Sequence, residues 1–207
     1  RFSLVTGVQT CALPIFDALS SLEFYRQGLV RQPVPANDHI QPFIDAQVPG
    51  LWVYYCCAQS SLVPNRFFAM ESARNRIMGV LMYLYGIKGF LHWGYNFYNS
   101  KFSLHPVDPY RVTHADYAFP SGDPFLVYPG PDGAPLSSVR AEVQDDALLD
   151  LRALRLLEQL AGRAFVEELI YADAEMRPMT FRDYPRGAGY LLALRERVAA
   201  EIESRLA

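Results

Sequence analysis

The chain has no surplus of basic charge: 19 lysines and arginines face 22 aspartates and glutamates, for a net charge of −3. The basic residues are scattered as well, so no patch suited to a phosphate backbone can be read from the sequence, and nucleic acid is not an expected partner. Long hydrophobic runs are also missing. The most apolar stretch, Ile77 to Phe90, is shorter than the roughly 20 residues a bilayer requires and is broken by Gly86 and Lys88, so no membrane association is expected. Cysteine is scarce, with only Cys11, Cys56 and Cys57. Gly130 to Gly133 lacks a phosphate-loop pattern, and Pro131-Asp132-Gly133 reads as a turn. His105 and His114, with Asp108 or Asp116, have the ligand types of a metal site but match no familiar spacing, so neither metal nor cofactor is expected. There is no internal repeat.

What remains is an ordinary single-domain composition: 207 residues, 51% hydrophobic and 20% charged. Its amino terminus is unusual. Val5 to Ile15, VTGVQTCALPI, resembles the translation of a short-read sequencing adapter, and the four residues before it fit the index bases that precede one. On that reading Arg1 to Ile15 is a library artefact fused to a gene fragment that starts near Phe16, and Cys11 is not native. Whatever lay upstream is then hidden, and the compartment stays open.

From Phe16 onward the pattern is periodic. Phe16, Leu19 and Leu22 have helical spacing over Phe16 to Gln27, and Gly28 can end that helix in a left-handed conformation. Leu29 to Val34 reads as a strand restricted by Pro33 and Pro35. A short helix from His39 to Gln47, capped by Asn37 or Asp38, precedes the Pro49-Gly50 turn and strand Leu51 to Cys57. A long helix from Phe67 to Tyr85 and a strand from Gly89 to Tyr95 follow. Such alternation with short connections predicts parallel β/α architecture.

Residues 99–135 lack sustained periodicity, and a loop of that length is usually functional or disordered. Its aromatics, Phe102, Tyr110, Tyr117, Phe119, Phe125 and Tyr128, favour a packed loop. Beyond it, Val143, Ala147, Leu148, Leu151, Leu154 and Leu160 predict an amphipathic helix that ends near Gly162. Leu191, Leu194, Val198 and Ile202 predict a second, with a turn at Asp183 to Gly187 between them. The domain reading is therefore a segment from 16 to 162 of β/α units, then a helical segment from 163 to 207.

The ordered strings WVYYCC, Pro64-Asn65, YGIKGFLHWGYN, FPSGDPFLVYPGPDG and SSVRAEV followed by LLDLRALRLLE resemble glycoside hydrolase family 123, whose catalytic domain was formerly domain of unknown function 4091. The resemblance runs from about Asp17 to the end. It implies the carboxyl-terminal part of a (β/α)8 barrel, an α/β fold, with ligand-facing residues at the carboxyl ends of its strands. It also implies retaining hydrolysis of N-acetylhexosaminides, in which the substrate's 2-acetamido oxygen attacks the anomeric carbon. Family members supply the oxazolinium-steadying carboxylate and the proton donor as an adjacent Asp-Glu pair on an earlier strand. This sequence has no Asp-Glu dipeptide, so no catalytic residue carries over, and the expected partners are a carbohydrate and the missing amino-terminal part of the same polypeptide. The alternative is a non-catalytic carbohydrate-binding or scaffold barrel. Where many members read Arg-Asp-Gly after the Ser-x-Arg string, this chain has Asp145-Asp146-Ala147, which removes a basic residue.

The strand-end rule makes Asn37, Asp38 and His39, Cys56 to Gln59, and Trp93 to Asn96 the rim candidates. Alternation puts Trp52, Tyr54 and Cys56 on one face of their strand and Leu91, Trp93 and Tyr95 on one face of theirs. The selected substrate-binding candidates are Trp93, Tyr95, Asn96, Trp52, Tyr54 and Asp38. Trp93 suits either stacking on a sugar face or core packing. Trp52 and Tyr54, deeper in their strand, fit a core role as well, while Tyr95 and Asn96 offer the hydrogen-bonding groups that sugar hydroxyls require. An Asn-Asp pair before a helix, as at Asn37 and Asp38, is more often a cap than a substrate contact. Cys56 and Cys57 read as small hydrophobes, His92 as an outward-facing residue, and Arg74 and Arg76 as partners of Glu71. Ser138 and Arg140 are expected to cap and anchor a helix.

Overall fold

Val53 and Tyr55 are fully buried while Trp52 and Tyr54 between and beside them are half-buried, the alternation of a strand with one covered face. The computed structural model describes residues 16–207, so the adapter-like segment lies outside the described residues. Strand β3 (Trp52–Tyr54) pairs in parallel with β4 (Gly89–Leu91), Trp52 opposite Gly89 and Tyr54 opposite Leu91. Strand β1 (Phe16–Asp17) pairs in parallel with β2 (Gln32–Pro33). The two pairs are joined just past β2, where Ala36 forms a parallel bridge with Tyr54; Tyr54 N–H donates to Pro35 O at 3.0 Å and Asn37 N–H to Tyr54 O at 2.8 Å. Four parallel segments thus lie side by side in chain order. Helices α1 (Leu22–Arg26), α2 (Gln41–Asp45), and α3 (Ala73–Arg76) with α4 (Met78–Leu84) make the crossovers, as parallel neighbours require.

After β4 the chain forms a long excursion that closes on a hairpin, β5 (Val127–Pro129) against β6 (Pro135–Ser137). Its turn uses Gly133 at φ +81°, with Asp132 Oδ1 accepting from Ala134 N at 3.1 Å. Three helices follow: α5 (Val139–Ala161), α6 (Arg163–Tyr171) and α7 (Ala188–Leu206). The core lies where α4, α5, α6 and α7 meet beneath Val53 and Tyr55. Leu81, Leu154, Leu157, Ile170 and Leu194 are all buried there. The α4 and α5 backbones touch at Gly79, where a Cβ would stand 2.0 Å from Ala147 O, so only glycine permits the crossing. No helix among the described residues is long and apolar enough to cross a membrane.

Several elements are shorter than the periodicity predicts, each for a tertiary reason. Phe16 and Asp17 leave the first helix for the sheet: Asp17 O accepts from Val34 N at 2.8 Å, and the Phe16 ring packs on Trp52 at 4.5 Å. The long helix begins only at Ala73 and is interrupted at Ile77. Its expected first turns are drawn away because Phe68 N–H donates to Ser121 O at 3.0 Å, which pulls the backbone onto the excursion. Strand β4 stops at Leu91, and the chain then turns to meet Asp123 at Gly94. Helix α2 has no side-chain cap: Ile40 precedes it, and Asn37 and Asp38 are used elsewhere. Helix α6 follows Gly162 directly, an element the sequence reading missed; the predicted end of α5 at Gly162 and the final helix both hold. Ser138 caps α5 by accepting from Ala141 N–H at 3.3 Å. Of the excursion's aromatics, Phe125 is fully buried and Tyr110 and Tyr128 pack together at 5.1 Å, whereas Phe102 and Tyr117 point into solvent.

Candidate functional site

The carboxyl ends of β2, β3 and β4 carry two groups of polar and aromatic side chains. The first follows β2 and β3. Asp38 accepts from Gln59 Nε2 at 3.2 Å and lies 2.7 Å from His39 Nδ1; Gln59 in turn accepts from Cys56 N–H at 3.0 Å. Asn65 fixes this turn from beneath, its amide donating to both Cys56 O and Gln59 O. Asn37 is buried, with Nδ2 on Pro64 O at 2.8 Å and Oδ1 unpaired. Asp38 is therefore held by side chains across the rim, not by the helix it precedes.

The second group follows β4 and centres on a carboxylate that periodicity did not single out. Asp123 is fully buried. Its Oδ2 accepts from Trp93 Nε1–H at 3.0 Å, and its Oδ1 faces His92 Nε2 at 3.2 Å, short of hydrogen-bond alignment. The His92 side chain is only 4% exposed, which corrects the outward placement expected from alternation. Its Nδ1 receives Gly94 N–H at 2.9 Å and Arg66 Nη2–H at 2.9 Å, and both groups can only donate. Nδ1 is therefore the acceptor, and the proton sits on Nε2, toward Asp123. Burial lowers the His92 pKa, only partly opposed by Asp123, so the ring is neutral, with Nδ1 committed as an acceptor and Nε2–H directed at the carboxylate. It is no free general base.

Arg66 ties this group to the scaffold. Burial pushes its pKa down to about 10, still cationic at neutral pH, and its Nη2 also donates to Gly94 O and Asp123 O. Arg140, at the start of α5, holds the same loop from the other side, donating to Gly122 O and to Phe125 O at 2.7 Å while lying over the Phe68 ring. It anchors as expected. Gly94 lets the two chain segments meet, since a Cβ there would stand 2.4 Å from Asp123 O.

Trp93 remains 41% exposed despite its buried hydrogen bond, and Phe97 and Phe119 pack around it at centroid distances of 5.3 and 4.8 Å. Tyr95 and Asn96 are exposed on the same turn. Tyr54 lies on the open face toward the Asp38 group, whose charge, after burial, helps raise its pKa. Trp52 sits lower, its ring covering Gly89 and packed on Phe16, so it belongs to the wall of that face and not to its rim. Cys56 and Cys57 are free and half-buried; burial and the neighbouring Cys56 push the Cys57 thiol up to about 11, which makes it a poor nucleophile at neutral pH. Arg76 pairs with Asp150 at 2.7 Å, and Arg74 donates to Ser61 O and Val63 O, so neither uses Glu71 as expected. Among the described residues no three His, Cys, Asp or Glu side chains converge to hold a metal; His105 Nε2 lies 3.5 Å from Asp116, while His114 stacks on Tyr117.

Among curated proteins, none matches this chain. A solved family 123 glycoside hydrolase from Clostridium perfringens, studied for glycolipid glycan hydrolysis, superposes with a TM-score of 0.60 at 16% sequence identity. The alignment covers 97% of this chain and 36% of that one, so the present chain spans about a third of its length. The family model for the catalytic domain of glycoside hydrolase 123 matches residues 2–157. That range takes in the four parallel segments, the Asp123 excursion and most of α5, and on it the chain belongs to glycoside hydrolase family 123.

Proposed function

We propose that these residues form the later β/α units of a (β/α)8 barrel, and that the full-length protein hydrolyses N-acetylhexosaminides with retention, assisted by the substrate's own 2-acetamido group. One observation carries the reading. Four parallel segments run in chain order, helices cover one face, and Trp52 and Tyr54 on the other face are left half-buried. Parallel sheets are ordinarily covered on both faces, and a closed barrel does this with its own remaining strands. Trp93, Tyr95, Asn96, Tyr54 and Asp38 would then face the substrate, with Trp52 on the barrel wall below them. The absence of an Asp-Glu dipeptide from all 207 residues gives the reading its second part: the chain alone is inactive. A barrel whose full-length form lacks that pair, and so binds carbohydrate without cleaving it, is the second reading, and the upstream sequence decides between them.

The test uses matched N-acetyl and 2-hydroxy aryl glycosides, with the product anomer read by NMR. The 207-residue chain should turn over neither, and joining the native upstream sequence should give retaining turnover of the N-acetyl substrate alone. Turnover by the chain itself overturns the placement of the catalytic acids; an inert joined protein without an Asp-Glu pair supports the binding barrel, and an inert one that carries the pair points to a different substrate or to the binding barrel. In the joined protein Trp93→Ala and Asn96→Ala should each weaken sugar binding by about 1 kcal/mol without unfolding it.

A further inference from the structure

We infer that Asp123 is the positioning residue for Trp93: it holds the indole N–H inward, so that the rim offers a ligand the face of the ring and no hydrogen bond from it. The inference rests on the rim reading above only in assigning that face to a sugar; the orientation of the ring stands on its own geometry. Trp93 is 41% exposed, yet its one donor is spent on a carboxylate with no exposure at all. An exposed indole would ordinarily give that donor to water or ligand.

The choice of aspartate follows from counting donors. Trp93 Nε1–H and His92 Nε2–H both point at this side chain, and His92 is fixed in that tautomer by Gly94 N–H and Arg66 on its other nitrogen. A carboxylate takes the indole N–H on Oδ2 and sets a second acceptor, Oδ1, 3.2 Å from His92 Nε2. An asparagine has one acceptor oxygen and would turn its NH2 against the other donor, and the alternative imidazole tautomer would then face Gly94 N–H with a proton of its own. Arg66 and Arg140 grip the backbone at Gly122, Asp123 and Phe125, so the carboxylate cannot move to relieve the mismatch. Phe97 and Phe119 pack edge-on and tilted against the ring and His92 lies parallel to it at 6.2 Å, and 41% of the residue still remains open to a ligand.

The experiment follows deuterium uptake at the Trp93 indole nitrogen by ultraviolet resonance Raman spectroscopy. The chain has two tryptophans, so the Trp93 signal is identified by its loss in Trp93→Phe, and Trp52 is the internal control. In the unaltered chain, at a temperature where circular dichroism shows it folded, the Trp93 N–H should be protected from exchange in spite of the ring's exposure; a fully exchanging N–H in that folded chain overturns the proposal without any variant. Asp123→Asn should accelerate uptake at Trp93 by about tenfold, the loss of one charge-assisted hydrogen bond, while Trp52 is unchanged. Unchanged uptake in a folded Asp123→Asn chain also overturns it. In the barrel-completed protein, Asp123→Asn should weaken N-acetylgalactosamine and N-acetylglucosamine binding several-fold and add nothing to Trp93→Ala. If Trp93→Ala leaves binding unchanged, the sugar-rim reading falls while the exchange data still decide the role of Asp123; if Trp93→Ala weakens binding and Asp123→Asn does not, positioning falls and the rim reading stands.

Discussion

Single atoms decide whether the rim can form at all. A methyl at Gly94 would meet backbone oxygen at Asp123 and Pro124, neither of which can rotate away. In the protein joined to its upstream sequence Gly94→Ala should therefore be destabilising by about 1–3 kcal/mol, the range for overpacking, read as a lower thermal midpoint. His92 gives a signed pH effect. Its pKa is lowered in the folded state, so the unfolded chain binds more protons, and stability must fall as pH drops through the unfolded value of about 6.5 toward the lower folded one. Denaturant titrations should show that loss on acidification, and a folded His92→Gln variant should flatten it; a loss of equal size in the variant would assign it to other groups. These residues were only partly legible in the sequence. Trp93, Tyr95 and Asn96 were visible because they end an apolar strand pattern, but nothing in one dimension says that an aspartate thirty positions later lies beneath the indole. Asp123 sits in a Gly-Asp-Pro string that reads as a turn, and His92 alternates like a solvent-facing residue although the chain twists it inward after Leu91. Periodicity reports a face only while the strand lasts.

At the scale of elements, the order of α1 to β4, α5 and α7 could be read from spacing, whereas β1, the β5–β6 hairpin, α6 and the lengths of the elements could not. Existence follows from local pattern, whereas β1, the delayed start of α3 and the turn after β4 are all set by partners far along the chain: Val34 for Asp17, Ser121 for Phe68, Asp123 for Gly94. Helix α5 shows what binds elements once formed. Its Asp150 takes Arg76 Nε at 2.7 Å and Nη2 at 3.1 Å, with both side chains nearly buried at the α3–α5 contact. Removing one partner of such a pair leaves the other charge desolvated. Asp150→Leu alone should cost about 3 kcal/mol by denaturant melts, and Arg76→Met with Asp150→Leu should cost less than that single change. A double variant as damaged as the sum of both singles would mean that packing, not charge, is what the pair supplies. Gly79 makes the neighbouring contact, and in the protein joined to its upstream sequence Gly79→Val should separate α4 from α5 and abolish cooperative melting.

For the whole molecule, the half-exposed sheet face is the dominant liability. Among the described residues β1 and β4 pair on one side only, so the sheet presents free backbone edges beside Phe16, Trp52 and Tyr54. Purified alone, the chain should self-associate or melt without cooperativity, measured by size-exclusion chromatography with light scattering. A monodisperse, cooperatively melting monomer would contradict the barrel reading. Class and topology at this scale were legible from β/α alternation, while the open face was not, because the same apolar alternation serves a covered and an uncovered sheet. The family match, meanwhile, stops at residue 157, inside α5, whereas the packing does not. Leu154 and Leu157 are buried in one cluster with Val166, Ile170, Leu191 and Leu194 from α6 and α7, and Arg182 and Arg186 reach back to Asp38 O and Leu62 O beside the rim. A boundary drawn from shared sequence would cut a helix in mid-turn and release two arginine struts from the loops they brace. Anyone dissecting this protein should therefore place the cut beyond Leu206: the last fifty residues are part of what holds the mouth of the sheet in shape.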